Sequence, residues 1–234
     1  MVSVGVAILS FLALVQSSGP VPPPPEFRMG ADTPTPVPAI PAEFRSVIKR
    51  ATREQLTIRA LDGHDIPVDI SGWRLWDYRL FQNGRYFGME MSGYEVVGYL
   101  LIDRAARKRT VIATGRAPLF SSNGRWFAVA GLTDASQGNF EGVGLWEIRP
   151  SGTTRRFFTD ALPPSTDWRM DRWVGNCFAF SAVNSMWDAL NPRDPDDATA
   201  QPAPSKRDQY SLWVEPSITL HWSSEPACPE AQRP

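Results

Sequence analysis

The stretch Leu80–Met89 reads LFQNGRYFGM, and Leu119–Val129 reads LFSSNGRWFAV. Both carry Asn-Gly-Arg followed by two aromatic residues, at Asn83–Phe87 and Asn123–Phe127. Asn and Gly tolerate the positive φ angles of a tight hairpin turn, and the aromatics that follow suit a half-buried strand. The echo extends downstream. Val97–Ile102 (VGYLLI) aligns with Val143–Ile148 (VGLWEI). A third, degenerate copy aligns Gly175–Phe180 with Gly124–Val129, and Leu212–Val214 with Leu145–Glu147. The repeating unit is therefore a strand, an Asn-Gly turn, an aromatic-rich strand, a connector and further strands. A recurrence of about 40–50 residues with four strands per unit marks blade-like architecture.

Alternation near period two runs on either side of the echo. EQLTIRALDGHDIPVDI (54–70) reads as a hairpin turning at Asp62-Gly63, and EVVGYLLIDRAARKRTVIAT (95–114) as another. GVGLWEIRPSGTTRRFFTD (142–160) reads as a third, while NCFAFSAVN (176–184) and YSLWVEPSITLHW (210–222) add late strands. Only FRSVIKRATREQL (44–56) suggests a short helix, and NPRDPDDATAQPAPSKRDQ (191–209) reads as a polar surface loop. The fold class expected is all-β, a propeller-like array of about three to four four-stranded antiparallel units.

The flanks differ in composition. Val2–Val15 is an apolar run of signal-peptide length, too short to span a bilayer, followed by small residues at Ser17, Ser18 and Gly19. Nine prolines between Pro20 and Pro41 make the next segment an extended spacer. The division expected is a signal peptide over 1–18, a Pro-rich linker over 19–43, the β-repeat domain over 44–222 and a tail over 223–234. Such a chain is expected to be exported, to the periplasm or beyond, with no integral span once the signal is removed; an uncleaved N-terminal anchor is the alternative reading. In that oxidising setting, the chain's two cysteines, Cys177 and Cys228, suit one disulfide. A net charge of -1 leaves no basic excess to neutralise phosphates, which argues against a nucleic-acid partner.

With turn, strand and spacing set out, the units resemble the WD40-like repeats of TolB-type periplasmic β-propellers, whose pattern runs P-x-F-S-P-D-G-R into an apolar strand. Ala117–Arg125 (APLFSSNGR) is the nearest copy, with Ser122-Asn123 in place of Pro-Asp. The likeness spans Trp76 to Trp222. Three to three and a half units fall short of the four to eight of closed propellers, so either a divergent fourth blade closes the ring, the array stays open, or chains associate; an uncovered sheet edge gives homodimerisation, or capture of a partner strand, a physical motive.

Catalytic chemistry finds little footing. No nucleophile elbow, zinc-binding His-Glu-x-x-His or phosphate loop occurs. His64, beside Asp62, Asp65 and Asp69, falls on a turn, and His221 falls in a terminal strand; both read first as structural. Asp194, Asp196 and Asp197 lack the Gly and distal Glu of an EF-hand loop. No catalytic residue, metal or cofactor is assigned. Two aromatic and charged runs remain: SGWRLWDY, with Trp73 and Trp76, and STDWRMDRWVGN, with Trp168, Arg169, Asp171, Arg172 and Trp173. Stacking and bidentate guanidinium bonds from such residues suit a protein or glycan of the cell envelope, although Trp in β repeats is first of all core. The leading expectation is thus a binding or scaffold domain. Its alternatives are a hydrolase or lyase of envelope polymers, and an assembly protein working through sheet edges.

Overall fold

A computed structural model describes residues 37–93, 97–108, 110–131, 140, 142–162, 165–184, 207–214, 217–223 and 228. The expected signal segment, most of the linker and the acidic triplet Asp194, Asp196 and Asp197 lie outside these residues.

The chain folds into four antiparallel sheets in sequence order. The first has three strands, β1 (Ile48–Ala51), β2 (Gln55–Arg59) and β3 (Asp65–Asp69). The second comprises β4 (Arg74–Phe81), β5 (Tyr86–Ser92), β6 (Val97–Asp103) and β7 (Val111–Ala113). The third comprises β8 (Leu119–Phe120), β9 (Trp126–Gly131), β10 (Gly142–Arg149) and β11 (Gly152–Thr159). The fourth comprises β12 (Ser165–Val174), β13 (Cys177–Asn184), β14 (Arg207–Trp213) and β15 (Thr219–Ser223). The all-β class and the recurring four-stranded unit are those expected.

Side-chain alternation stacks the sheets in series. Phe87, Phe127 and Phe178 occupy one position of the repeat, and each is fully buried against the preceding sheet. Their cross-strand partners Ile102, Trp146 and Leu212 face the same way. The residue before each Phe faces forward: Tyr86 packs toward the third sheet and Trp126 toward the fourth. In the fourth sheet that residue is Cys177, and no further described sheet follows. Instead Cys177 is bonded to Cys228, both fully buried, so the disulfide holds Cys228 against the outer face of the sheet. Closing a loop of 51 residues contributes about 4 kcal/mol in the chain-entropy account.

The ladders revise two alignments. Counted from the Phe, Leu101 and not Tyr99 corresponds to Leu145, and Trp146 rather than Leu145 corresponds to Leu212. The second slip is of one residue, and a one-residue slip inverts the face; pairing, not letter likeness, sets the match. The turns of the echo also differ. Gln82, Asn83 and Gly84 all have positive φ, at 50°, 53° and 82°, whereas in the second copy only Gly124 does, at 66°.

The expected helix over 44–56 is not formed. The segment is a short 3-10 turn (Ala42–Phe44), then β1, a turn and the start of β2. Thr52 Oγ1 accepts from the backbone N–H of Glu54 and Gln55, at 3.3 and 3.0 Å, fixing a turn where a helix would have to continue. Burial of Val47, Ile48, Leu56 and Ile58 against the second sheet then favours a hairpin over a lone helical turn. The domain also begins earlier than Phe44. Ile40 packs on the same core, and the Phe44 ring lies 5.8 Å from those of Tyr78 and Phe87. Pro38 and Pro41 lack N–H donors, so this strap does not join the first sheet as a fourth strand.

Candidate functional site

The run Ser165–Val174 is where sequence and structure bear most directly on function. As a strand it sends alternate side chains to opposite faces, and two bulges on β12 adjust that alternation. Each adds a residue relative to β13, one between Thr166 and Arg169 and one between Met170 and Arg172. The consequence is a clean division. Trp168, Met170 and Trp173 all turn into the core shared with the third sheet, while Asp167, Arg169, Asp171 and Arg172 are exposed or partly exposed.

The tryptophans proposed as a platform therefore separate. Trp168 is 1% exposed, packs on Phe180 and Tyr210, and donates its indole N–H to Ser165 O at 3.0 Å. Trp173 is half-buried on Phe178, with its N–H committed to Leu119 O at 2.8 Å. Trp73 is buried beside Gly93, where an added Cβ would meet its ring at 3.3 Å. Only Trp76 reaches the surface, at 37% exposure, and its N–H donates to Glu90 Oε2 at 2.6 Å.

On the outer face of the fourth sheet the charged residues form one network. Arg169 donates to both oxygens of Asp167, at 3.4 and 2.8 Å. Arg207, from β14, bonds the same carboxylate, the Asp167 carbonyl at 2.9 Å and Ser181 Oγ at 3.3 Å. Ser181 Oγ in turn donates to Asp171 Oδ1 at 3.3 Å. The hydrogen bonds from Arg169, with the charge of Arg207, hold the Asp167 carboxyl below its ordinary pKa. Arg172 is exposed and pairs with no carboxylate among the described residues. The outer face of this sheet thus presents three guanidinium groups and two carboxylates, suited to charge-assisted bonds with a polar partner surface.

Two members of this network, Asp167 and Arg207, were not singled out from sequence. Asp167 had a readable signal. Asp77-Tyr78-Arg79 in β4 and Asp167-Trp168-Arg169 in β12 share an Asp-aromatic-Arg pattern, 90 residues apart, or about two repeat periods. Both aspartates sit on bulges with φ of 48° and 47°, and both pair with the Arg two residues on; Asp77 to Arg79 is 2.5 Å. Arg207 had no local signal, since β14 reaches β12 only through the fold.

The two histidines lie on different sheets. His64 sits in the exposed β2–β3 turn with Nδ1 2.5 Å from Asp62 Oδ1, which lowers the Asp62 pKa. His221 is exposed on β15, opposite Ser211. No group of three His, Cys, Asp or Glu side chains positioned for a metal occurs among the described residues. A groove of about 810 Å³ lies on the first sheet, lined by Arg50, Thr52, Arg53, Glu54, Asp69 and Ser71 among others; of the residues singled out from sequence it takes in Asp69, without His64. No described helix is long and apolar enough to cross a membrane. No protein-family model matches the chain, and no curated protein matches it in sequence.

Proposed function

We propose that this chain is an exported binding or scaffold domain of the cell envelope, built from propeller-type repeats of the TolB kind, that recognises a protein through the outer face of its fourth sheet. The observation that carries the reading is the Asp167–Arg169–Arg207–Asp171 network beside the exposed guanidinium of Arg172, mounted on β12 and β14 rather than on loops. Rigid placement lowers the ordering cost of binding. A protein surface fits better than a glycan. Sugar recognition by stacking needs open aromatic faces, and here Trp73 and Trp168 are core, while Trp173 is half-buried with its indole N–H engaged. The enzymatic alternative draws no support from the histidines, which sit apart on the first and fourth sheets. The buried Cys177–Cys228 bond supports export to an oxidising compartment.

The test is site-specific photocrosslinking in intact envelopes, with the photoreactive residue at Arg172 or, as a comparison, at Gln55 on the outer face of the first sheet. A discrete adduct from position 172 that disappears with Arg169→Glu is expected. Equal labelling from both positions, or none from 172, would remove the reading. Mass spectrometry of the exported chain checks cleavage after Ser18 separately.

A further inference from the structure

Among the described residues, every sheet edge but that of β15 carries a guarding feature. Every ladder irregularity falls on an edge strand, and the extra residue is on the edge strand each time: β1 between Ile48 and Arg50, β4 between Trp76 and Arg79, β11 at Arg156, and β12 twice. Of the remaining edges, β8 and β7 have only two and three residues. β3 carries Pro67 between the exposed Asp65 and Asp69. Bulges, short strands, proline and charges are the devices by which sheets avoid pairing with other chains. β15 has none of them. It is five residues long, pairs with β14 in unbroken register from Thr219↔Trp213 to Ser223↔Gln209, and contains no Pro, Lys, Arg, Asp or Glu.

We infer that β15 is a pairing edge for a second copy of this chain. The sequence Thr219-Leu220-His221-Trp222-Ser223 is self-complementary about its centre. An antiparallel β15–β15 pair places Thr219 opposite Ser223 and Leu220 opposite Trp222 of the other copy, with His221 facing its own equivalent. The twofold axis then runs midway between the two His221 residues, perpendicular to the sheet, and two four-stranded sheets become one of eight strands. Leu220 packs toward the third sheet while His221 lies on the outer face, so each copy's inner face meets the other's inner face, with no charge brought against like charge. A five-residue strand pair falls below the roughly 1,200 Å² of standard interfaces, so the dimer is weak and concentration-dependent. The inference does not depend on the binding role of the fourth sheet, although it makes the two outer faces continuous.

Sedimentation of the signal-free chain from about 10 to 500 μM, with cross-strand disulfide trapping, tests it. Opposed Cα atoms in an antiparallel pair lie ~4.5–5.5 Å apart, within reach of a disulfide. His221→Cys meets its own copy and is trapped as a covalent dimer. Thr219→Cys faces Ser223 of the other copy and is trapped at least tenfold more slowly. His221→Asp places two carboxylates in opposition and shifts the wild-type association to higher concentration. A monomer throughout the range, or equal trapping of the two cysteine variants, overturns the inference.

Discussion

The junction between the second and third sheets depends on one buried carboxylate, and Asp103→Ala is the sharpest test of how the stack holds together. Asp103 is fully buried at the end of β6. It accepts from Arg85 Nε and Nη2 at 3.1 Å each, from Thr153 Oγ1 at 2.7 Å and from the Ala105 backbone N–H at 3.1 Å. Arg85 also donates to Arg149 O, and Tyr86 OH bonds Thr153, so residues of β10 and β11 are fastened to β5 and β6 through this group. Burial also pushes the Tyr86 phenol up to about 12, so it stays neutral throughout. Truncating Asp103 leaves a largely buried guanidinium without its counter-ion and two further donors without an acceptor. Breaking one side of such a pair costs about 3–5 kcal/mol, a large share of the roughly 5–15 kcal/mol that holds a domain folded. Urea unfolding followed by tryptophan fluorescence measures the loss. Arg85→Met/Asp103→Leu, which removes both charges, should recover at least about 2 kcal/mol of it. A loss under about 1 kcal/mol for Asp103→Ala, or additive effects in the cycle, would show that the network contributes little.

Three further outcomes follow from single contacts. Cys177→Ser/Cys228→Ser should lower stability by about 4 kcal/mol, read as a lower midpoint in thermal unfolding that reductant no longer changes. Gly88→Ala should cost about 1–3 kcal/mol, because a Cβ there would fall 2.2 Å from the buried Tyr99 hydroxyl; Tyr99→Phe should recover part of it, and no recovery would mean the ring rather than the hydroxyl sets the limit. Asp62, Asp167 and Glu147 are each held below their ordinary values by hydrogen bonds, from His64, Arg169 and Arg149 respectively. A depressed carboxyl binds fewer protons folded than unfolded, so its stabilisation is complete above the ordinary carboxylate range and is lost as pH falls through and below it. Chemical unfolding midpoints should thus be flat from pH 7 to 5 and fall below about pH 4; a midpoint that rises on acidification would contradict these pairings.

What the sequence made legible was what local chemistry dictates. Asn83-Gly84 and Asn123-Gly124 marked hairpins because few other residues adopt those backbone angles, and Asp62-Gly63 did the same for β2 and β3. The paired cysteines were also readable, because a chain with two cysteines has one possible internal bond. Three features were hidden for a common reason: each depends on which residue lies opposite which. The bulges of β12 decide that Trp168 and Trp173 enter the core while Arg169 and Arg172 remain outside, and nothing in DWRMDRW announces an extra residue. The helix expected over 44–56 failed because its apolar residues find a better partner in the second sheet than in each other. Arg207 joins Asp167 across 40 residues, a contact that exists only once β13 lies between their strands.

The outer faces of the first and fourth sheets differ from those of the sheets between them. A sheet in the middle of the stack is apolar on both sides, as β9 is throughout. The first sheet breaks that rule, burying Leu56, Ile58, Ile66 and Val68 on one side and exposing Gln55, Arg59, Asp65 and Asp69 on the other. The fourth breaks it too, with Asp167, Arg169 and Arg172 outward and the disulfide holding Cys228 over Cys177. Pressing either face onto another apolar sheet would strip water from charges that have no buried partners waiting, a cost of several kcal/mol per ion. In the fourth sheet the forward-facing position changes from an aromatic, Tyr86 or Trp126, to Cys177, and the disulfide to Cys228 covers the place where those aromatics dock the next sheet.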